Sequence, residues 1–353
     1  DDVESRGLGD VYKRQYPGCL WYVYEYTNKE DWKKAAIKWT ESLEPLKKMT
    51  NHHDIGFLMY CSFGNAYRLT GNEAYKDVLV ESARSLCTRF NEKTGCIKSW
   101  NYRKSWNGKD EWFYPVIIDN MMNLELLYFA TKVTGDSVYA KVANRHAETT
   151  AKNQFREDYS NYHVVNYDAE TGEVLNQATC QGFSDNSAWA RGQAWAIYGY
   201  TMAYRETHRQ DFLDMAVHTA DFWLNHPNLP EDGIPYWDFN AGQEDYVPDW
   251  NYDPEIFKVV PRDASAAAIV ASAFLELSGY VTDGKKYSAA AAHILKSLSS
   301  PAYLAEPGTN CNFILMHSVG SIPHGEEIDV PLIYADYYLS LIHISEPTRL
   351  DVI

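Results

Sequence analysis

The sequence predicts an all-α protein: an (α/α)6 barrel whose sixth hairpin is truncated, with one small β-hairpin near residues 163–179. Three observations lead there. Thr27, Thr70, Thr134, Thr207 and Thr282 are each followed five residues later by an aromatic, namely Trp32, Tyr75, Tyr139, Phe212 and Tyr287. The segment before such a threonine is nearly free of charge, whereas the segment after it is amphipathic. A helix that is apolar all round is buried, and a one-sided helix covers it from outside. The threonines are also spaced too irregularly for a solenoid of uniform short repeats.

In chain order, the apolar run GCLWYVYEYT leads into Thr27 and opens the first unit. Residues 54–70 carry only Asp54 and Arg68 as charges and read as an inner helix. Residues 72–90 carry Glu73, Lys76, Asp77, Glu81, Arg84 and Arg89 and read as its outer partner. Glycine after the apolar run in TGNEAY and TGDSVY fits a helix C-terminus. Long connections precede the inner helices (91–112, 153–186, 226–262 and 301–330), and within them the stretch from His163 to Thr179 reads as a hairpin around ETGE. The stretch from Ala264 to Leu275 runs 12 residues before Glu276 interrupts it, well short of the roughly 20 that a bilayer span needs. A sixth unit begins at Pro331 and is cut short after PLIYADYYL. Residues 1–15 and 341–353 lack a sustained pattern and are expected to be non-native tails around a single domain, 16–340. A soluble cytoplasmic or periplasmic protein fits equally, because a native N-terminus is not visible.

The 353 residues contain 32 Lys+Arg and 48 Asp+Glu, a formal charge of −16. Binders of nucleic acid or anionic membrane usually display basic surface, so neither partner is expected. Aromatics reach 14% of the chain. Most should be core, but Tyr and Trp also offer flat faces that suit sugar rings. The six cysteines form no CxxC pair and read as buried thiols.

The repeat register points to a site. Asp54, Asp119 and Arg191 stand 15 or 16 residues ahead of Thr70, Thr134 and Thr207, at the starts of three consecutive inner helices. Helix starts share one rim, so these side chains should converge. Charges there are expensive unless they are used, although capping is the commoner role for an aspartate. His53, Trp100, Trp106, Gln181, Trp189 and Trp195 lie close by in sequence, and two carboxylates among stacking rings suit glycosidic-bond chemistry. An arginine supplies a fork for a substrate carboxylate. His163, on the hairpin, is either a sugar ligand or a loop residue.

The segments HHDIGFL (52–58), IIDNMMNLELL (117–127), SNYHVVNYD (160–168) and CQGFSDNSAWARGQAW (180–195) resemble glycoside hydrolase family 88, the unsaturated glucuronyl hydrolases. The resemblance spans about Tyr16 to Leu339 and implies an (α/α)6 barrel. It implies oligosaccharide substrates that end in a 4,5-unsaturated uronic acid, released by hydration of the C4=C5 bond, with neither metal nor organic cofactor. By match of motif, Asp119 is the general acid and base and Asp54 its tuning partner. His53, Trp100, His163, Gln181, Trp189, Arg191 and Trp195 match substrate-binding positions. The sequence departs from the family pattern at residues 10–16, DVYKRQY, where the family carries tryptophans at the places of Val11 and Tyr16. Cys180 stands where some members carry histidine, and Glu326 and Glu327 fall in a loop that sulfate-accepting members line with serine and lysine.

Competing readings are the sister family 105 of unsaturated rhamnogalacturonyl hydrolases and a non-catalytic sugar-binding (α/α)6 protein. A third, a sugar epimerase on the same barrel, is disfavoured by the scattered histidines. Oligomeric state is not readable from the sequence.

Overall fold

The computed structural model describes residues 8–345, with side chains from 15 to 344. The outer parts of the expected tails, 1–7 and 346–353, lie outside the described residues. Residues 8–15 form the start of the first helix, and the last helix runs on to Ser345.

The helices follow one another in inner–outer order. Inner α1 (Leu8–Thr27) leads to outer α2 (Glu30–Glu41). Inner α3 (Ile55–Met59) continues through a π-helical turn, Tyr60–Gly64, into α4 (Asn65–Thr70), and α5 (Glu73–Cys87) covers it. A 3-10 segment, Ile118–Asn123, opens inner α6 (Leu124–Thr134), with α7 (Val138–Asn153) outside. Then come inner α8 (Ala190–Thr207) with α9 (Gln210–Asn225), inner α10 (Ala264–Ser278) with α11 (Lys285–Leu298), and inner α12 (Ile333–Ser345). The ring closes because α12 packs against both α10 and α1. Six inner and five outer helices are thus found among the described residues.

Burial explains the two classes. Every residue of α8 from Ala190 to Ala203 is buried, so it has no solvent face. In α11 the buried residues are Tyr287, Ala291, Ile294, Leu295 and Leu298, a stripe at helical spacing.

The recurring threonine is a C-terminal latch. Thr27, Thr70, Thr134 and Thr207 each donate Oγ1–H to the carbonyl four residues back, at 2.6 Å in all four. Each Oγ1 also accepts the backbone N–H two residues on, at 3.1–3.4 Å. The residue between is left-handed: Asn28 (φ 53°), Gly71 (65°), Gly135 (75°) and His208 (54°). One hydroxyl therefore ties the N–H that follows the turn to the last helical turn, while the left-handed residue's own N–H takes the first orphan carbonyl, that of Tyr24, Tyr67, Thr131 or Tyr204. The fifth repeat differs. Inner α10 stops at Ser278, four residues before Thr282, and the following Gly279 is right-handed (φ −81°). The aromatic after the latch anchors the outer helix: Tyr75, Tyr139, Phe212 and Tyr287 are buried, while Trp32 stays exposed.

The expected hairpin is present as β6 (Val164–Tyr167) and β7 (Val174–Ala178), but it is not alone. Two-stranded pairs β1 (Phe90–Asn91) with β2 (Cys96–Ile97) and β3 (Arg103–Lys104) with β4 (Glu111–Trp112) precede it. A further strand, β5 (Pro115–Ile117), joins β6 to make a three-stranded sheet. These strands of two or three residues are too short to show a period. Of the cysteines, Cys61, Cys96 and Cys180 are buried as expected, whereas Cys311 is exposed in the loop before α12.

Two glycines separate conformational from packing constraints. A Cβ on Gly135 would meet nothing within 4 Å, so only its left-handed backbone resists alanine. A Cβ on Gly56 would lie 2.7 Å from the Asn123 carbonyl, where α3 presses on the 3-10 segment. Gly135→Ala is expected to cost about 1 kcal/mol, and Gly56→Ala about 3 kcal/mol, at the upper end for overpacking. Urea unfolding of both variants checks this, and equal losses would contradict it.

Candidate active site

A cavity of about 420 Å3 opens at the rim where the inner helices start. It is lined by His53, Asp54, Trp100, Asp119, Gln181, Arg191 and Trp195, seven of the nine residues expected from sequence. His163 and Trp189 lie behind this wall. Both are buried, with ring centroids 4.5 Å apart.

Local structure delivers each carboxylate. Asp54 immediately precedes α3 but makes no side-chain capping bond to it. Its oxygens instead lie 3.3 Å from His53 Nε2 and 3.3 Å from His52 Nδ1. Asp119 follows β5 by two residues, in the first turn of the 3-10 segment, where it does not cap either. The close approach at Gly56, together with the Phe57 N–H donating to Asn123 Oδ1 at 2.7 Å, locks the two segments side by side. Strand register does the rest. Ile117 pairs with Val164, and the Ile118 N–H donates to the His163 carbonyl, so His163 stands beside Asp119.

Burial is the largest influence on Asp119, and the negative charge of Asp54 acts in the same direction; Arg191 opposes both. The result is a carboxyl whose pKa is raised to about 7. It can therefore hold a proton near neutral pH and also give it up. His53 is driven the other way by burial, to about 3, and is neutral.

Arg191 is held on three sides. Nη1 pairs with Asp263 Oδ2 at 3.1 Å and donates to the Val319 carbonyl, while Nη2 donates to the Gly320 carbonyl at 2.6 Å. The Trp189 ring lies under the guanidinium at 4.5 Å. These bonds use three of the five guanidinium N–H groups, which leaves two for a ligand.

Several lining residues escaped the sequence reading. Arg103 lies 5.1 Å from the Trp100 ring and 6.0 Å from the Trp106 ring, and it hydrogen-bonds His324 Nε2. His324 is lowered to about 4 by burial, so this nitrogen accepts. His324 and Gly320 come from the connection before α12, as does Glu327, whose loop the family pattern had marked, and Tyr334 comes from α12 itself. Nothing periodic marks them. Asp263 had a signal, since it immediately precedes the apolar stretch at 264–275 and caps α10 through the Ser265 and Ala266 N–H groups. Gln15 also lines the cavity, with 1% exposure and both amide atoms unpartnered among the described residues. It falls in the stretch where the sequence departs from the family pattern.

Two other features stand out. His52, His53 and Asp54 are the one group among the described residues compact enough to share a metal ion, with ligand atoms within 4.8 Å of one another. A larger cavity of about 720 Å3 lies at the opposite mouth, among the ends of the inner helices. Most of its charges are paired: Arg205 with Glu125, Glu206 and Glu276, and Arg68 with Glu25.

The chain is similar to known proteins. The chain is 50% identical over 324 residues to an unsaturated glucuronyl hydrolase of Formosa agariphila, covering 92% of this chain and 76% of that protein. It is 34% identical to an unsaturated chondroitin disaccharide hydrolase of Streptococcus agalactiae, covering 92% and 78%. A crystal structure of an unsaturated glucuronyl hydrolase specific for heparin superposes with a TM-score of 0.88 at 46% identity, over 98% of this chain and 88% of that one. Residues 15–228 match the sequence profile of Glycosyl Hydrolase Family 88, and the chain belongs to that family.

Proposed function

We propose that this protein removes a 4,5-unsaturated uronic acid from the non-reducing end of oligosaccharides by hydrating its C4=C5 bond, and that residues 16–340 form one catalytic domain. The observation that carries this is Asp119, a carboxyl poised near pH 7 beside a second carboxylate in a cavity with indole walls.

The substrate's C4=C5 bond is conjugated to the ring oxygen. Proton transfer from Asp119 to C4 therefore places positive charge on C5, where the ring oxygen shares it. Asp54 faces that charge and stabilises it. The Asp119 carboxylate then takes a proton from water as the water oxygen bonds to C5, which regenerates the acid. The product is a hemiketal at C5, which opens and expels the partner sugar. One group thus serves as acid and then base, a role that needs a pKa near the working pH. Trp100 and Trp195 offer flat faces to the ring, and Gln181 a half-buried amide. The two uncommitted N–H groups of Arg191 suit the uronate carboxylate. His53 and Trp189 support Asp54 and Arg191.

The wild type is expected to abolish the ultraviolet absorbance of unsaturated disaccharides, and Asp119→Asn to lose at least ~10³-fold in kcat at unchanged fold. Turnover of rhamnogalacturonan disaccharides in preference to glycosaminoglycan ones would move the protein to the sister activity, and an unaffected Asp119→Asn would remove Asp119 from its role.

The acid form must be present for the first step, so kcat/KM should fall as pH rises through about 7. Because the Asp54 charge raises the pKa of Asp119, Asp54→Asn should shift that limb to lower pH in the residual activity. A shift upwards would contradict the pairing.

For Arg191, the carboxyl-methyl ester of the substrate should react about 10–100-fold more slowly with the wild type, given the worth of a charge-assisted bond. In Arg191→Lys this penalty should shrink. An identical penalty in both enzymes would show that another group reads the carboxylate.

A further inference from the structure

The structure gives His163 a part that motif matching does not. Its Nδ1 accepts two backbone hydrogen bonds, from the Cys180 N–H at 3.0 Å and the Gln181 N–H at 3.1 Å. A nitrogen that accepts cannot carry the proton, so the neutral ring must hold it on Nε2. Burial favours that neutral form, keeping the imidazole well below its usual pKa. Nε2 points at Asp119 Oδ2 across 3.7 Å, and both atoms are buried without a hydrogen-bond partner among the described residues. No side-chain area of His163 is exposed, whereas 21% of the Asp119 side chain is. Since Oδ2 is sealed off, the edge that meets the cavity is the Oδ1 edge. Unpaired buried donors and acceptors are costly, and hydrogen bonds of catalytic groups are often long before substrate binds.

We infer that His163 is a positioning residue: in the reacting complex its Nε2–H donates to Asp119 Oδ2, which leaves Oδ1 to carry the proton delivered to C4. This rests on the proposed hydration reaction and assigns its proton to one oxygen. When the proton leaves Oδ1, the new carboxylate charge is met at Oδ2 by a donor already aimed at it, so no reorganisation is needed at that moment. The imidazole itself neither gains nor loses a proton. The sheet makes this possible, because the chain enters β6 at the residue that lies beside the 3-10 segment, and the 180–181 backbone pins the ring from behind.

Two measurements test it. In the wild type, 15N NMR of the histidine side chains should show His163 with a bare Nδ1 and a protonated Nε2, unchanged from pH 5 to 8. A proton on Nδ1, or titration in that range, overturns the inference, and this readout needs neither substrate nor variant.

The second compares His163→Asn, which lacks a donor at the Nε2 position, with His163→Gln, whose amide nitrogen reaches it. On an unsaturated disaccharide, His163→Asn should lower kcat about 10–100-fold with little change in KM. The alkaline limb should move to higher pH, because a donor to the carboxylate has been lost. The other groups around Asp119 are Asp54 and His53 before α3, Cys180 after β7, Arg191 and the Trp195 indole on α8, Glu327 in the late connection and Tyr334 on α12, and all are unaltered in both variants. His163→Gln should recover part of kcat and return the limb towards its wild-type position. A rise in KM at constant kcat would make His163 a sugar contact. Equal losses in both variants with an unmoved limb would make it a prop for residues 180–181. Either result overturns the inference. A wild type inactive on every unsaturated uronide would instead sink the proposed function, and the tautomer measurement would still stand.

Discussion

The open rim is organised around a buried guanidinium that must be paired. The side chain of Arg191 is 4% exposed and that of Asp263 is fully buried, so neither charge can be left to water. The single Asp263 carboxylate does two things, since one oxygen caps α10 and the other meets Arg191. Arg191 in turn binds the carbonyls of Val319 and Gly320, which ties the connection that carries His324 and Glu327 across the mouth of the barrel. Two inner helices and a long loop are thereby joined at one point. The same exclusion of water raises the proton affinity of Asp119 and keeps His53 and His163 neutral. Breaking the pair would therefore disturb the loop, the helix start and the acid together.

Much of the fold was legible because the barrel repeats its own grammar. A threonine that closes an inner helix and an aromatic that anchors the next outer one recur often enough to be read without coordinates. The fifth copy shows the limit: Thr282 keeps the spacing, yet α10 has already ended at Ser278. The site was legible to the extent that helix register reaches it. Asp54, Asp119 and Arg191 were found by counting, and they line one cavity. Arg103 and His324 were not, since each sits in a connection whose path is set by tertiary contacts rather than by a period. His163 and Trp189 were found in sequence but misplaced in depth. Nothing in a sequence distinguishes a side chain that lines a wall from one that stands directly behind it.

The π turn at Tyr60–Gly64 interrupts one inner helix and the 3-10 segment at Ile118–Asn123 opens its neighbour, the two that follow the aspartates' helix starts. Departures of this kind often mark functional sites. Here the 3-10 segment turns the chain from β5 into α6 within six residues, and Asp119 sits at its start.

The threonine latches have a consequence for how such a protein changes over time. At the far rim, four inner helices close their last turn locally, through the threonine hydroxyl and the N–H of the left-handed residue after it, using nothing from the loops opposite. Insertions and substitutions in the long connections of the open rim therefore leave these helix ends intact. The barrel behaves as a fixed chassis with an exchangeable face, so selection for a new sugar can act on one rim while the other conserves the architecture.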